Sequence, residues 1–320
     1  MKKLFCRTLS LLLSGLLVAS LLAPISHAEA RLKIVCSFFP IYDLSKRVAG
    51  DLADVDLLMP VEADAHSFEP SVQDMAKIED CDLFIYNGAS MEVFLDRLLN
   101  SQEGAHFHPV CASDLVPLLP SHRTRKEKEA KTFVKRSYID PAPNRKGHFD
   151  PHTWITPRNA CLELEAIKNA LVEADPEHAE SFEENYQTAL KDFQALASDY
   201  DRALQNLSQR EIVVSHAAFA YLCNEYELEQ IAIEGLEPHS EPSAKRLSEI
   251  IDEIRARKLK AVFFENAESS KVAETIAAET EAQVLVLYPM ESLTRAQVEA
   301  GADLLSLMRE NLDNLKKALK

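Results

Sequence analysis

Residues 176–209 read PEHAESFEENYQTALKDFQALASDYDRALQNLSQ. The apolar positions Phe182, Tyr186, Leu190, Phe193, Leu196, Tyr200, Leu204 and Leu207 recur at spacings of 4, 4, 3, 3, 4, 4 and 3, the narrow stripe of a helix with one buried face. Asp175-Pro176-Glu177 supplies a start, with proline in the first turn. About 34 residues at 1.5 Å each predict a rod of roughly 50 Å. A coiled-coil dimer could use the same stripe. One helix flanked by unlike segments on both sides is better used as a strut, so a monomer is expected.

Those flanking segments alternate short apolar runs with amphipathic ones. The runs are LKIVCSF (32–38), DVDLLMP (54–60), DLFIYNG (82–88), EIVVSH (211–216), KAVFFE (260–265) and QVLVLYP (283–289), with the length and β-branched content of buried parallel strands. Between them lie helical stretches such as SMEVFLDRLLN (90–100), PSAKRLSEIIDEIRARK (242–258) and KVAETIAAETEA (271–282). This order predicts an α/β fold of two βα lobes with parallel-type sheets, joined by one long rigid helix. The expected divisions are an N-terminal lobe over 31–174, the connecting helix over 175–209 and a C-terminal lobe over 210–320.

The first thirty residues follow a different pattern. Lys2, Lys3 and Arg7 precede an apolar run from Leu9 to Ala23, and small residues end at Ala28-Glu29-Ala30. Basic, apolar and A-x-A regions in that order predict a cleaved secretory signal over 1–30, and the run is short for a membrane span of about 20 residues. No cysteine follows the run, so a lipid anchor is not expected. The whole chain carries a net charge of −16, and removing residues 1–30 takes away three basic groups and one acid, leaving about −18. An acidic body argues against nucleic-acid binding. Seven glycines in 320 residues, and no phosphate-loop motif, argue against a nucleotide enzyme. Residues 121–146 depart from the rest, with nine Lys or Arg against three acids, and read as a solvated loop or a contact patch for an acidic partner. Five cysteines remain after the signal: Cys36, Cys81, Cys111, Cys161 and Cys223. None forms a C-x-x-C pair, so small buried residues are the simplest reading.

Three histidines stand out. His216 ends the strand EIVVSH, at the end of a parallel sheet where ligands gather. His152 lies in the proline-flanked turn FDPHTWITP, and His66 in the loop ADAHSFEP. Gaps of 86 and 64 residues form no local metal motif, so spacing alone leaves each an ordinary loop or strand-end histidine.

Beyond residue 31 the chain closely resembles the solute-binding proteins of ABC importers for zinc, manganese and related divalent metals. The resemblance is carried by IVCSFFPIYDLSKRVAGD (34–51), AHSFEPSVQDMAKIEDCDLFIYNG (65–88), DPHTWITPRNA (150–160), IVVSHAAFAYL (212–222), EPSAKRLSEIID (241–252) and VLVLYPMESLT (284–294). It implies a metal site in the cleft between two lobes, with His66, His152, His216 and Glu291 as ligands. Glu265, at a neighbouring strand end, competes with Glu291 for the fourth place. Three imidazoles and one carboxylate suit tetrahedral zinc, while a manganese carrier would be expected to offer more carboxylate oxygen; zinc is the expected metal, with manganese or iron as the alternatives. Asp150 is close enough in sequence to orient His152. The segment between the first two ligands, where many zinc members carry a histidine-rich loop, holds only scattered His106, His108, His122 and His148 among Lys and Arg. The resemblance further implies a periplasmic, non-enzymatic carrier that delivers its metal to an inner-membrane ABC permease. A zinc hydrolase with an open coordination position and a surface adhesin are the competing functions.

Overall fold

The computed structural model describes residues 31–100, 106–121, 149–236, 242–265 and 271–320. The signal-like segment 1–30 and nearly all of the basic segment 121–146 lie outside the described residues. Residues Leu32–Lys320 form one unit by their contacts.

Among the described residues there are two four-stranded sheets. The first is built from β1 (Leu32–Cys36), β2 (Ala53–Leu57), β3 (Leu83–Tyr86) and β4 (His108–Cys111), in the order β2-β1-β3-β4. The second uses β5 (Glu211–Val214), β6 (Glu229–Ala232), β7 (Ala261–Phe264) and β8 (Gln283–Val286), in the equivalent order β6-β5-β7-β8. Every pairing is parallel. The six apolar runs of the sequence are all strands. The other two, β4 (HPVC) and β6 (EQIA), are edge strands carrying one proline or two polar residues, so neither reads as a buried run.

Ten α-helices accompany the strands among the described residues. They are α1 (Phe39–Ala49), α2 (Val72–Glu79), α3 (Leu95–Asn100), α4 (Pro157–Ala174), α5 (Ala179–Ala203), α6 (Ala220–Tyr226), α7 (Ala244–Arg257), α8 (Lys271–Thr280), α9 (Arg295–Glu299) and α10 (Leu304–Leu319). Several starts are written locally. The Ser71 side chain accepts from Asp74 N–H while the Asp74 carboxylate accepts from Ser71 N–H, and Thr156 caps α4 with Pro157 in its first turn.

The long stripe at 176–209 is one α-helix only over Ala179–Ala203, about 38 Å at 1.5 Å per residue. Pro176–His178 form a 3₁₀ turn before it, and the helix stops at Leu204. Leu204 and Leu207 still pack on the core beyond that end, so the apolar rhythm outlasts the helix because the same surface lies beneath it. The helix packs against α4, α1 and α10.

Strand alternation explains the layering. Ile34 and Cys36 of β1, Leu83 and Ile85 of β3, Ile212 and Val214 of β5, and Ala261 and Phe263 of β7 all enter one central core with Phe182, Phe193 and Tyr200 of α5. The intervening Val35 and Phe84 join an outer core on one sheet, and Val213, Val262 and Phe264 join another on the second. Side chains on a strand alternate faces, so each sheet turns one face to a shared interior and covers the other with its own helices. All five described cysteines are free, three buried and two partly so.

Glu163 of α4 is the exception inside this interior: it is fully buried, and neither carboxylate oxygen has a hydrogen-bond partner. Burial pushes its carboxyl up to about 8. Between the ordinary carboxylate range and that value the native chain holds a proton that the unfolded chain has lost, so this group's contribution to stability falls as pH rises through the interval. Glu163→Gln should therefore remove part of the pH dependence and be more stable than the parent at pH 8 but not at pH 4. Urea unfolding at both values measures this, and an equal difference at both would contradict it. Phe193→Ala, at a fully buried position of α5, should cost about 3–5 kcal/mol in the same assay.

Candidate metal centre

The carboxyl ends of both sheets face the site. In each sheet the chain reverses its direction of strand addition beside the first strand, between β1 and β3 and between β5 and β7, which opens a crevice there. His216 follows β5 by two residues, Glu265 follows β7 directly, and Glu291 follows β8 within five. His66 lies in the loop after β2, where its backbone N–H donates to Asp64 Oδ1 at 2.9 Å. His152 follows the antiparallel bridge between Pro120 and Phe149 and precedes a 3₁₀ turn, Thr153–Ile155.

The structure brings His66, His152, His216 and Glu291 together, with one potential ligand atom from each lying within 4.8 Å of all the others. Glu291 Oε1 is the meeting point. It lies 3.1 Å from His152 Nε2, 3.2 Å from His216 Nε2 and 3.3 Å from His66 Nε2. Bonds of 2.0–2.1 Å to a tetrahedral zinc place neighbouring donors roughly 3.3 Å apart, so these three edges already have the right length. The three imidazoles are 3%, 0% and 1% exposed at the side chain for His66, His152 and His216, and Glu291 is 12% exposed.

The second ring nitrogen of two of these histidines is already committed. His152 Nδ1 lies 2.9 Å from Asp150 Oδ1, and His216 Nδ1 lies 2.6 Å from Glu265 Oε1, which also accepts from Ser215 Oγ at 2.8 Å. A carboxylate oxygen only accepts, so Nδ1 carries the proton and Nε2 turns its lone pair toward the site. Glu265 thus sits behind His216 rather than among the four convergent atoms. His66 Nε2 is buried, makes no other hydrogen bond and faces Glu291 Oε1 at 3.3 Å.

The turn carrying His152 is held from beneath. Asn87, at the end of β3, donates through Nδ2 to Pro151 O at 2.9 Å and accepts through Oδ1 from Thr153 Oγ1 at 2.8 Å, gripping both neighbours of His152. Buried Glu92 fixes Asn87 in turn by accepting from the backbone N–H groups of Asn87 and Gly88, and from Ser37 Oγ. Gly88 stands at φ +82°, and a Cβ there would meet Cys111 Sγ at 2.6 Å, so only glycine fits. Sequence reasoning did not find Asn87 or Glu92. The strand-end position of Asn87-Gly88 was the available signal. His106 and His108 are exposed and His178 pairs with Asp175, all outside the cluster.

The electrostatics follow from crowding. Burial pushes the Glu291 carboxyl up, but His152, His216 and His66 outweigh it and hold the group well below the usual carboxylate range. Burial lowers His152 and His216, yet Asp150 and Glu291 raise the first, Glu265 and Glu291 raise the second, and both end above the ordinary imidazole value. Lone pairs on Nε2 facing a carboxylate oxygen need a cation between them, either a proton or a metal.

Two parallel sheets with a buried N₃O cluster at their carboxyl ends make a doubled α/β scaffold whose four convergent donors could hold a metal ion. Residues 34–318 match the family described as "Zinc-uptake complex component A periplasmic" (ZnuA), and the chain belongs to that family. It is 35% identical over 316 residues to the zinc-binding lipoprotein AdcA of Streptococcus pneumoniae, covering 97% of this chain and 61% of that one. It therefore spans about three-fifths of the length of that relative. It is 33% identical over 289 residues to the high-affinity zinc uptake system protein ZnuA of Bacillus subtilis, covering 90% of this chain and 88% of that one. The crystal structure of the Zn(II)-bound ZnuA-like domain of Streptococcus pneumoniae AdcA superposes with a TM-score of 0.77 at 34% identity, over 90% of this chain and 99% of that one. Among the described residues, no helix is long and apolar enough to cross a membrane.

Because the acids raise His152 and His216, a cation entering the site displaces protons at and above neutral pH. Zinc affinity should rise with pH through the neutral range, with about one or more protons released per zinc at pH 7. Calorimetric titration in two buffers of different ionisation enthalpy counts those protons, and identical heats would contradict the arrangement.

Proposed function

We propose that this chain captures zinc outside the cytoplasm and delivers it to an inner-membrane ABC permease, with the metal as cargo. His66, His152, His216 and Glu291 are its ligands. The convergence of three buried Nε2 atoms on Glu291 Oε1 carries this reading. Residues 31–174 and 210–320 are the two metal-holding lobes, and 175–209 is the connection between them. The protein works as a monomer.

The donor set decides between metals and between roles. Imidazole nitrogens suit zinc, whereas manganese favours oxygen, so the donor set prefers zinc to manganese; against iron, the closed tetrahedral arrangement is what favours zinc. A hydrolytic zinc site keeps one position open for water. Here the carboxylate stands as close to each imidazole as the fourth corner of a tetrahedron requires, and it closes the shell. A closed shell favours holding and release over chemistry. The absence of thiolates keeps that hold reversible.

Metal-stripped protein should bind one zinc per chain and prefer it to manganese and iron in competition. His216→Ala should weaken binding by at least about 100-fold, while His178→Ala leaves it unchanged. Tight manganese binding that zinc does not displace would defeat the zinc assignment, and equal losses in the two variants would defeat the ligand assignment.

A further inference from the structure

Three hydrogen bonds made by two side chains, Trp154 and Tyr221, run between the segments of the two sheets without involving any of the four convergent residues. Trp154, in the 3₁₀ turn after His152, donates from Nε1 to Pro289 O at 2.8 Å. Tyr221, in α6 five residues after His216, donates from its hydroxyl to Asp150 O at 2.9 Å and accepts from Leu119 N–H at 3.2 Å. We propose that Trp154 and Tyr221 are positioning residues that govern how long the site retains its metal. This inference rests on the zinc-binding reading above.

The Trp154 bond joins the segments of two ligands. Trp154 is two residues after His152, and Pro289 is two residues before Glu291. Between Pro289 and Glu291 stands Met290, with φ +62° and 1% exposure. A left-handed conformation at a non-glycine residue is unfavourable and persists only where its surroundings fix it. The surroundings here are the indole on the Pro289 carbonyl and Asn311, whose side chain donates to Tyr288 O at 2.8 Å and accepts from Tyr288 N–H at 2.7 Å. The indole itself cannot swing away, because it is fully buried, edge-on to Phe38 at 4.8 Å and 5.5 Å from the His152 ring.

Tyr221 acts on the same histidine from the other side. Its hydroxyl is inserted beside the Pro120–Phe149 bridge, satisfying one buried N–H and one buried C=O. The carbonyl it holds belongs to Asp150, whose carboxylate orients His152. His216 and Tyr221 lie in one β5–α6 segment, so this bond ties His216 to the orienting carboxylate of His152. Moving the His152 turn away from the segments of Glu291 and His216 requires breaking these bonds. Metal entry into the preformed donor set does not depend on them in the same way.

The test separates release from entry. Zinc-loaded parent, Trp154→Phe, Tyr221→Phe and the double variant are mixed with excess chromophoric chelator for the release rate. Metal-free protein is mixed with zinc for the entry rate. Trp154→Phe should release zinc about fivefold faster, as expected for loss of one buried hydrogen bond, and Tyr221→Phe, which loses two, at least as fast, with entry within about twofold of the parent and one zinc per chain. Tyr200→Phe is the control: it removes a buried hydrogen bond to Met308 O at 2.7 Å between α5 and α10, and should lower stability without changing release. Unchanged release in the loaded variants overturns the proposal, as does equally fast release in Tyr200→Phe, which would mean general loosening. Should Trp154→Phe not fold, Tyr221→Phe, which deletes a single oxygen, decides alone. A parent that takes up no zinc would instead overturn the function proposed above, and this inference with it.

Discussion

Three imidazole nitrogens facing a single carboxylate oxygen, away from water, is the condition around which the molecule is organised. In two of the three rings the opposite nitrogen already donates to Asp150 or Glu265, so the inward nitrogen meets Glu291 either through a second proton on the ring or through a cation that both can bind. Either way, charge is held among the four groups. The surrounding chain must therefore keep them in place against the cost of desolvating them. The anchoring by Asn87, Glu92 and Ser215, and the left-handed backbone at Met290, follow from that need.

The equivalent strand orders of the two sheets supply the frame. A parallel sheet collects loop residues at its carboxyl edge, and two such edges turned to one place collect them from six separate parts of the chain. The shared central core means that the sheets are not independent bodies on a tether. Alternate residues of β1, β3, β5 and β7 meet the same interior, and α10 carries the C-terminal end back against α5 and α1. The loops that carry the four residues lie over this packed base, and the hydrogen bonds between them are what join one sheet's loops to the other's.

Much of this was legible in the residues. Apolar runs located six strands, because buried parallel strands are continuous in hydrophobicity. They missed β4 and β6, whose outer edges face no neighbour and tolerate His108, Pro109, Glu229 and Gln230. The stripe from Phe182 to Leu207 located the long helix but overstated its length, since periodicity reports the surface a segment lies on and not whether its backbone stays helical. The convergence of His66, His152, His216 and Glu291 could not be read from gaps of 86 and 64 residues. Only the resemblance to a family suggested it, because the separation is closed by tertiary structure. Asp150 was visible beside His152 in the sequence. Glu265 was visible too, but as a rival to Glu291. Its partnership with His216 depends on the adjacency of β5 and β7, which no local pattern encodes.

The chain contains a single tryptophan, and it is Trp154. Eight tyrosines are spread along the sequence, but the indole signal of the whole protein arises from one ring, buried against an imidazole and bonded to a carbonyl of the Glu291 segment. Protonating or metallating that imidazole changes the charge a few ångströms from the ring. Moving the carbonyl changes the polarity at its N–H. Ultraviolet emission and near-ultraviolet dichroism of the unlabelled chain are consequently local measurements of the site, so the state of four residues can be followed optically in a protein of 320.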